Sequence, residues 1–349
     1  MVKVLIVEDS PVQQALLGHI LSSDPNVNVI GTAGDGVEAL NFLERQKPDI
    51  VTMDLNMPKM SGLEATRRIM ETYPVPIVIV SASWDPQEVA TTFRAIEAGA
   101  LTGVEKPRGI GHKNFETTAQ QLIQTVKLMS EVKVVRRWPH FQAAPPYPHT
   151  QPLGEFRHWN ADIRLVVIGA STGGPPVLQT ILSRLPKDFS VPILIVQHIT
   201  TGFLLGLTEW LGHASGFPVC VPAHGDFLRS GHVYLAPDGF HLGVMQGNRA
   251  LLSQTQLENN LRPSVSYLFR SVADQLGPQA VGVLLTGMGR DGAAELKLMR
   301  DKGAFTVAQD KESSVVHGMP GEAIQLDAAI QVLPPEKIAE VLIKLVQRE

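Results

Sequence analysis

One cysteine, Cys220, stands in the 349 residues, so no internal disulfide can form and a disulfide-stapled secreted scaffold is excluded. Its neighbours Val219 and Val221 read as a strand, which makes the thiol a packing group rather than a nucleophile. A positive surplus is also missing. Lys and Arg number 30 against 34 Asp and Glu, a formal net charge of −4, which removes the electrostatic footprint of a phosphate-backbone binder. Nucleic acid is not expected as a partner. Long apolar runs are lacking too: Val191 to Val196 and Ala280 to Leu285 are strand-length, well short of the roughly 18 residues that cross a bilayer. No membrane insertion is expected. Met1-Val2-Lys3 leads into an apolar run ending in acids, unlike a secretory signal, so the expected location is cytoplasmic. What is present is globular material, 44% hydrophobic and 18% charged, in a length that suits about two domains.

The division is readable. Apolar periodicity stops from Glu131 to Asp162, where Pro139, Pro145, Pro146, Pro148 and Pro152 fall among polar and aromatic residues. Such a stretch favours extended, semi-rigid chain, so 1–127 and 163–349 are expected as domains and 128–162 as their linker. Before it, strand-like runs at Lys3 to Val7, Asn28 to Ala33, Ile50 to Met53, Ile77 to Val80 and Leu101 to Val104 alternate with segments of helical spacing. This alternation predicts a five-stranded parallel sheet with helices on both faces. After it, runs at Arg164 to Ile168, Val191 to Val196, Ala280 to Leu285 and Phe305 to Ala308 repeat the pattern. A small antiparallel hairpin is expected within about His232 to Ser253, turning at Gly247-Asn248. The second half is therefore also α/β, doubly wound and mostly parallel.

Parallel sheets gather the C-terminal ends of their strands on one edge, where open α/β proteins bind ligands. In the first half that edge carries Glu8 and Asp9, Asp54, Ser81 and Lys106. Three carboxylates repel one another, and Mg²⁺, which prefers hard oxygen ligands, would neutralise them. Ser81 and Lys106 would offer a hydroxyl and a charge to a phosphoryl group on Asp54. Any one of these acids could instead cap a helix; the whole set is harder to explain that way. Through Val7-Glu8-Asp9-Ser10, Asp54-Leu55-Asn56-Met57-Pro58, Ser81-Ala82 and Glu105-Lys106-Pro107, residues 1 to about 125 resemble a two-component receiver domain of flavodoxin-like fold. The resemblance implies phosphorylation of Asp54 by a histidine kinase, with Mg²⁺ on Glu8, Asp9, Asp54 and the Asn56 backbone carbonyl. One departure is Gly103, where receivers usually carry the aromatic of their switch.

In the second half, Gly169-Ala170-Ser171-Thr172-Gly173-Gly174 joins a strand to a helix and suits a tight turn presenting a serine. A dinucleotide-binding turn would call for an acid at the end of the next strand, yet that strand ends in Gln197-His198. Ser171 and His198 can thus meet at one sheet edge as nucleophile and base. Asp291 and Asp310 both follow strands reaching the same edge, and spacing does not choose between them as the acid that orients the imidazole. The order Ser, His, Asp differs from that of ordinary α/β-hydrolases. By the elbow argument, the Thr172 N–H is a candidate oxyanion donor.

Through the Ser171 turn, Gln197-His198, Thr286-Gly287-Met288-Gly289-Arg290-Asp291-Gly292, Ala308-Gln309-Asp310 and Gly318-Met319-Pro320, residues about 163 to 347 resemble the catalytic domain of chemotaxis protein-glutamate methylesterases. That resemblance selects Asp291, suggests the Met288 backbone N–H as oxyanion donor, and implies methyl-accepting chemoreceptor helices as substrate. It implies demethylation with methanol release, deamidation of receptor glutamines, and an unphosphorylated state in which the receiver covers the active-site edge. Two positions depart, neither in the triad: Ser266 stands where Asp is usual and Gly321 where Arg is common, and both are expected to alter the rim that receives a receptor helix. The other histidines, among them His213, His224, His232, His241 and His317, lack metal-ligand spacing, and no catalytic metal is expected in this half. A second reading, resting on Gly103, Ser266 and Gly321, is a phospho-dependent receptor-binding adaptor without turnover.

Overall fold

The protein is described by a computed structural model covering residues 1–81, 86–109, 111–112, 114–132, 134 and 162–346. Its contacts group the chain into two compact units, Met1–Tyr147 and Pro148–Glu349. Most of the expected linker, with its prolines and the basic residues Lys133, Arg136 and Arg137, lies outside the described residues. Among those described, no helix is long and apolar enough to cross a membrane.

The first unit alternates strand and helix in the order β1 (Val2–Val7), α1 (Pro11–Ser22), β2 (Val27–Ala33), α2 (Gly36–Arg45), β3 (Ile50–Met53), α3 (Gly62–Thr72), β4 (Ile77–Ser81), α4 (Pro86–Ala98), β5 (Thr102–Glu105) and α5 (Phe115–Ser130). All its strand pairs are parallel, in spatial order β2-β1-β3-β4-β5. Strands β3 and β4 are buried along their whole length, as the near-continuous apolar runs of a doubly covered sheet require. Helix starts follow local chemistry: Ser10 accepts from the Gln13 N–H, Asp35 from those of Val37 and Glu38, and Ser61 from that of Glu64. Helix α5 continues past the expected domain end at residue 127 to Ser130.

The second unit runs β6 (Leu165–Ala170), α6 (Gly174–Arg184), β7 (Ile193–Gln197), α7 (Leu204–Ser215), β8 (Val219–Cys220), β9 (Val233–Leu235), β10 (His241–Met245), β11 (Arg249–Ser253), α8 (Val265–Gln275), β12 (Ala280–Leu284), α9 (Ala293–Asp301), β13 (Phe305–Gln309), α10 (Met319–Gln325), β14 (Gln331–Leu333) and α11 (Pro335–Val346). Seven of these strands form one parallel sheet in the order β14-β13-β12-β6-β7-β9-β8. The hairpin is narrower than its sequence suggests. β10 and β11 pair antiparallel around Asn248, with φ +57°, but Val233–Leu235 leaves that region to pair in parallel with β7. Its residues are buried throughout, and an apolar tripeptide is too short for periodicity to distinguish a hairpin arm from a sheet strand. The Cys220 thiol is half-buried on the edge strand β8, and burial pushes its pKa up, in keeping with a packing role.

Strands β6, β7 and β12 are fully buried at the centre of this sheet, and Leu268, Phe269 and Val272 of α8 pack beneath them with Leu242 and Val244 of β10. Burial of such side chains contributes roughly 1.5–3 kcal/mol apiece and fixes where the strand ends project. The loops after β6, β7 and β12 are thereby held side by side.

Candidate active site

In the first unit the strand ends converge on a pocket of acids. Oxygens of Glu8, Asp9 and Asp54 lie within 4.8 Å of one another. Lys106 Nζ is 2.7 Å from Glu8 Oε2 and 3.1 Å from Asp54 Oδ1. Burial raises the pKa of Glu8, with Lys106 opposing and the Asp54 charge adding to the rise. Burial likewise lifts Asp54 against the pull of Lys106, with Asp9 adding to it. Two carboxyls thus lifted beside a third form a hard-oxygen donor set that one lysine does not neutralise, which fits Mg²⁺. Ser81, buried at the end of β4, donates to Glu88 Oε2 at 3.1 Å, and the Asn56 side-chain amide donates to Glu88 Oε1. Glu88 carries no motif signal, and sequence reasoning passed over it.

In the second unit the turn after β6 places Ser171. Its N–H donates to the Thr286 carbonyl at 3.0 Å, and its carbonyl accepts from the Gly174 N–H and from Gln197 Nε2, each at 2.8 Å. Gly173 sits at φ +80°, where a side chain would strain the turn. The Thr286 hydroxyl donates to the Thr172 carbonyl at 2.9 Å and accepts the Val316 N–H at 2.9 Å, so one side chain ties three loops together. Gly287 must lack a side chain, because a Cβ there would stand 2.7 Å from Ser171 Cβ and 2.4 Å from Met319 Sδ.

His198 leaves the adjacent strand at the same level, its N–H donating to the carbonyl of Ala170 at 2.9 Å. Its Nε2 lies 2.9 Å from Asp291 Oδ2. The structure therefore brings Asp291, not Asp310, to the imidazole. Asp310 accepts instead from the N–H and hydroxyl of Ser313. Among the described residues the Ser171 hydroxyl makes no hydrogen bond, so nucleophile and base are neighbours without a formed link, common before substrate binds. The Thr172 and Met288 N–H groups are also without hydrogen-bond partners among the described residues. Met288 is 49% exposed beside the Gly287 contact with Ser171.

Asp291, only 3% exposed, sits in a cradle of donors. Oδ1 accepts from the Ser264 hydroxyl at 2.8 Å, Asn259 Nδ2 at 3.0 Å and the Ser266 N–H at 3.2 Å, and Oδ2 accepts from the Val265 N–H at 2.7 Å. The last two amides open α8, so the carboxylate caps that helix from a distant part of the chain. Burial alone would raise its pKa. The His198 contact, the imidazole charge and the Ser264 and Val265 donors reverse this and hold it well below the usual carboxylate range.

The two departures in the second half differ in their surroundings. Ser266 is 3% exposed, and its hydroxyl accepts from the Gly292 N–H at 2.9 Å and from Asn259 Nδ2 at 3.3 Å. It belongs to the Asp291 cradle rather than to a solvent rim. Gly321 faces the His317 ring, whose Cδ2 would lie 3.0 Å from an added Cβ. Burial and the charge of Lys311 depress the pKa of that histidine. Sequence reasoning missed Asn259 and Ser264; the only available sign was Ser264 as an ordinary cap before an apolar helix.

Comparison with known proteins follows the same division. Residues 4–112 match the response regulator receiver domain and 166–342 the CheB methylesterase family. The chain is 57% identical over 348 residues to a protein-glutamate methylesterase/protein-glutamine glutaminase of Nitrosospira multiformis, covering 99% of this chain and 97% of the relative. It is 55% identical over 348 residues to one of Geobacter metallireducens, covering 99% of each. The solved catalytic domain of Thermotoga maritima CheB methylesterase is 40% identical, with a TM-score of 0.51, spanning 53% of this chain and 99% of that one. With both parts matched in order and relatives similar from end to end, the chain belongs to the CheB methylesterase family that carries an N-terminal response regulator receiver domain.

Proposed function

We propose that the protein is a phosphorylation-controlled serine hydrolase that removes methyl groups from glutamate γ-methyl esters on chemoreceptor helices and deamidates receptor glutamines. The observation that carries the reading is the Asp291–His198 pair at 2.9 Å, set where Ser171 leaves the neighbouring strand. Asp291 faces one ring nitrogen of His198 and leaves the other for the serine proton. Ser171 Oγ attacks the ester carbonyl while His198 takes its proton, and Asp291 stabilises the imidazolium. The tetrahedral oxyanion is received by the Met288 N–H, with that of Thr172 as second donor; such a donor is worth about 3 kcal/mol. His198 then protonates the departing methoxide, giving methanol, and next deprotonates the water that clears the acyl-enzyme. For a glutamine the leaving group is ammonia.

The control resides in Asp54. A histidine kinase supplies its phosphoryl group, which Ser81 and Lys106 contact and which raises turnover at Ser171. Glu8, Asp9, Asp54 and the Asn56 carbonyl would hold Mg²⁺, which when bound supplies positive charge to the phosphoryl oxygens.

The test is methanol release from methylated chemoreceptor membranes with Mg²⁺ and acetyl phosphate. Wild type should release methanol, Ser171→Ala should not, and Asp54→Ala should release it at a reduced, phosphodonor-independent rate. No release by wild type, with no labelling of Ser171 by a fluorophosphonate probe, would overturn the hydrolase reading in favour of a non-catalytic adaptor.

A further inference from the structure

The Ser81 hydroxyl has a single proton, and it is already committed. Its acceptor is Glu88 Oε2 at 3.1 Å, in the first turn of α4, and the other oxygen of the same carboxylate takes the Asn56 amide. Ser81 is buried at the end of β4, and the Lys106 ammonium is held by Glu8 and Asp54. A phosphoryl oxygen arriving on Asp54 would compete with Glu88 for the Ser81 proton. It would also bring negative charge toward a carboxylate that no described lysine or arginine neutralises, since no ion pair to Glu88 is formed among the described residues. The position usual for an aromatic switch is Gly103, paired with Ile79 on β4, so no β5 side chain there can follow the movement of Ser81.

We propose that Glu88 is a positioning residue of the phosphorylation site and the link through which that site reports to α4. Without the phosphoryl group, Glu88 holds the Ser81 hydroxyl and the Asn56 amide and pins the first turn of α4 to the pocket. On phosphorylation, Asp54 attacks phosphorus, the bond to the donor's leaving oxygen breaks, and acetate departs with its electron pair when acetyl phosphate is the donor. Ser81 keeps its proton and only changes acceptor, from Glu88 to a phosphoryl oxygen. Glu88 is expelled unaltered, and the turn that it pinned is released. This rests on the reading of Asp54 as the phosphoacceptor.

The test uses the full-length protein with Mg²⁺, comparing wild type, Glu88→Gln, Glu88→Ala and Asp54→Asn. The first readout is the rate of phosphoryl incorporation from acetyl phosphate. Both Glu88 variants should react about two- to five-fold faster, the effect of removing a partly screened like charge from the path of an anion. The second readout is amide hydrogen exchange over residues 86–98 with and without beryllofluoride. Wild type should exchange faster there on adding beryllofluoride. Glu88→Ala should exchange fast from the start and change little, while Glu88→Gln, whose carbonyl can take the Asn56 amide while its NH₂ donates to the Ser81 hydroxyl oxygen, should remain protected and respond. Unchanged rates in both variants, or raised exchange in Glu88→Ala with no rate change, would overturn the proposal and leave Glu88 as a helix-packing residue. Incorporation by wild type but not by Asp54→Asn keeps the phosphoacceptor reading standing whatever Glu88 does. If wild type itself takes up no phosphoryl group, both fall together.

Discussion

Replacing Asp291 by Asn tests whether one carboxylate serves both the chemistry and the architecture. An asparagine whose carbonyl oxygen takes the Oδ1 place keeps acceptance from Ser264, Ser266 and Asn259, but turns its NH₂ toward the Val265 N–H and His198 Nε2. Hydrogen bonds to a charged acceptor are worth about 1.5–3 kcal/mol, and the Val265 N–H is left facing another donor at a buried helix start. The expected loss is about 3 kcal/mol of catalytic-unit stability. For a unit of this size that lowers its melting transition by about 6–12 °C. The activity loss, about 10⁴-fold from the wrong imidazole tautomer, comes in addition. The pH signature has a definite sign. Because the folded pKa is lowered from 3.8, the stabilisation is fully present above about pH 4 and is lost as pH falls below it; the Asn variant lacks that acid-side slope. Calorimetry of the full-length protein would resolve the effect, with Ser171→Ala as an inactive control of unchanged melting. A variant that loses activity but melts within about 2 °C of wild type would refute the capping role.

Gly287→Ala should abolish methanol release while the protein still folds, because the new methyl group collides with Ser171 and Met319; substantial release would contradict the close approach. Thr286→Val removes the hydroxyl that binds Thr172 and Val316, and should cost about 1–3 kcal/mol in chemical denaturation and slow turnover several-fold. Mg²⁺ at a hundred times its dissociation constant should stabilise the first unit by about 2.7 kcal/mol. Glu8 and Asp54 have raised folded pKa values, so their contribution is present below the unfolded values and lost as pH rises; the Mg²⁺ shift should therefore grow from pH 5 to pH 8, and a flat response would count against the assignment. His317 has a lowered folded pKa, so its contribution is present above pH 6.5 and lost on acidification; His317→Phe should flatten the stability slope between pH 6.5 and pH 5, read by urea unfolding.

How far these sites are legible depends on what kind of signal carries them. Val4–Val7 and Ile50–Met53 announce themselves because strands buried on both faces read as near-continuous apolar runs, and the acids after them stand out by contrast. Glu8, Asp9, Asp54 and Lys106 are brought together by sheet topology alone, so strand order predicts their meeting. The three-residue strands Val233–Leu235 and Gln331–Leu333 are too short to show a period, and only pairing with longer neighbours makes them strands. The choice between Asp291 and Asp310 was open on spacing because both follow parallel strands; it is decided by where loops return. The Asp291 loop meets the start of α8, whereas Asp310 closes a turn on Ser313. Ser266 looked like a surface substitution because a serine carries no burial signal of its own. Glu88 was invisible for the complementary reason, since a glutamate in the first turn of a helix is what the helix dipole favours anyway.

The strand order of the second unit also divides the chemistry between two stretches of chain. β6 and β7, which deliver Ser171 and His198, precede the exposed turn residues Gln246 and Gly247, whereas β12, which delivers Asp291, follows them. A break at that turn would therefore yield two fragments, neither holding a complete set of reacting groups. β6 must pair with β12 to rebuild the sheet, and the cradle of α8 travels with Asp291. Ester cleavage would then report fragment reassembly, making this hydrolase divisible into a complementation pair whose signal depends on two segments of chain finding each other.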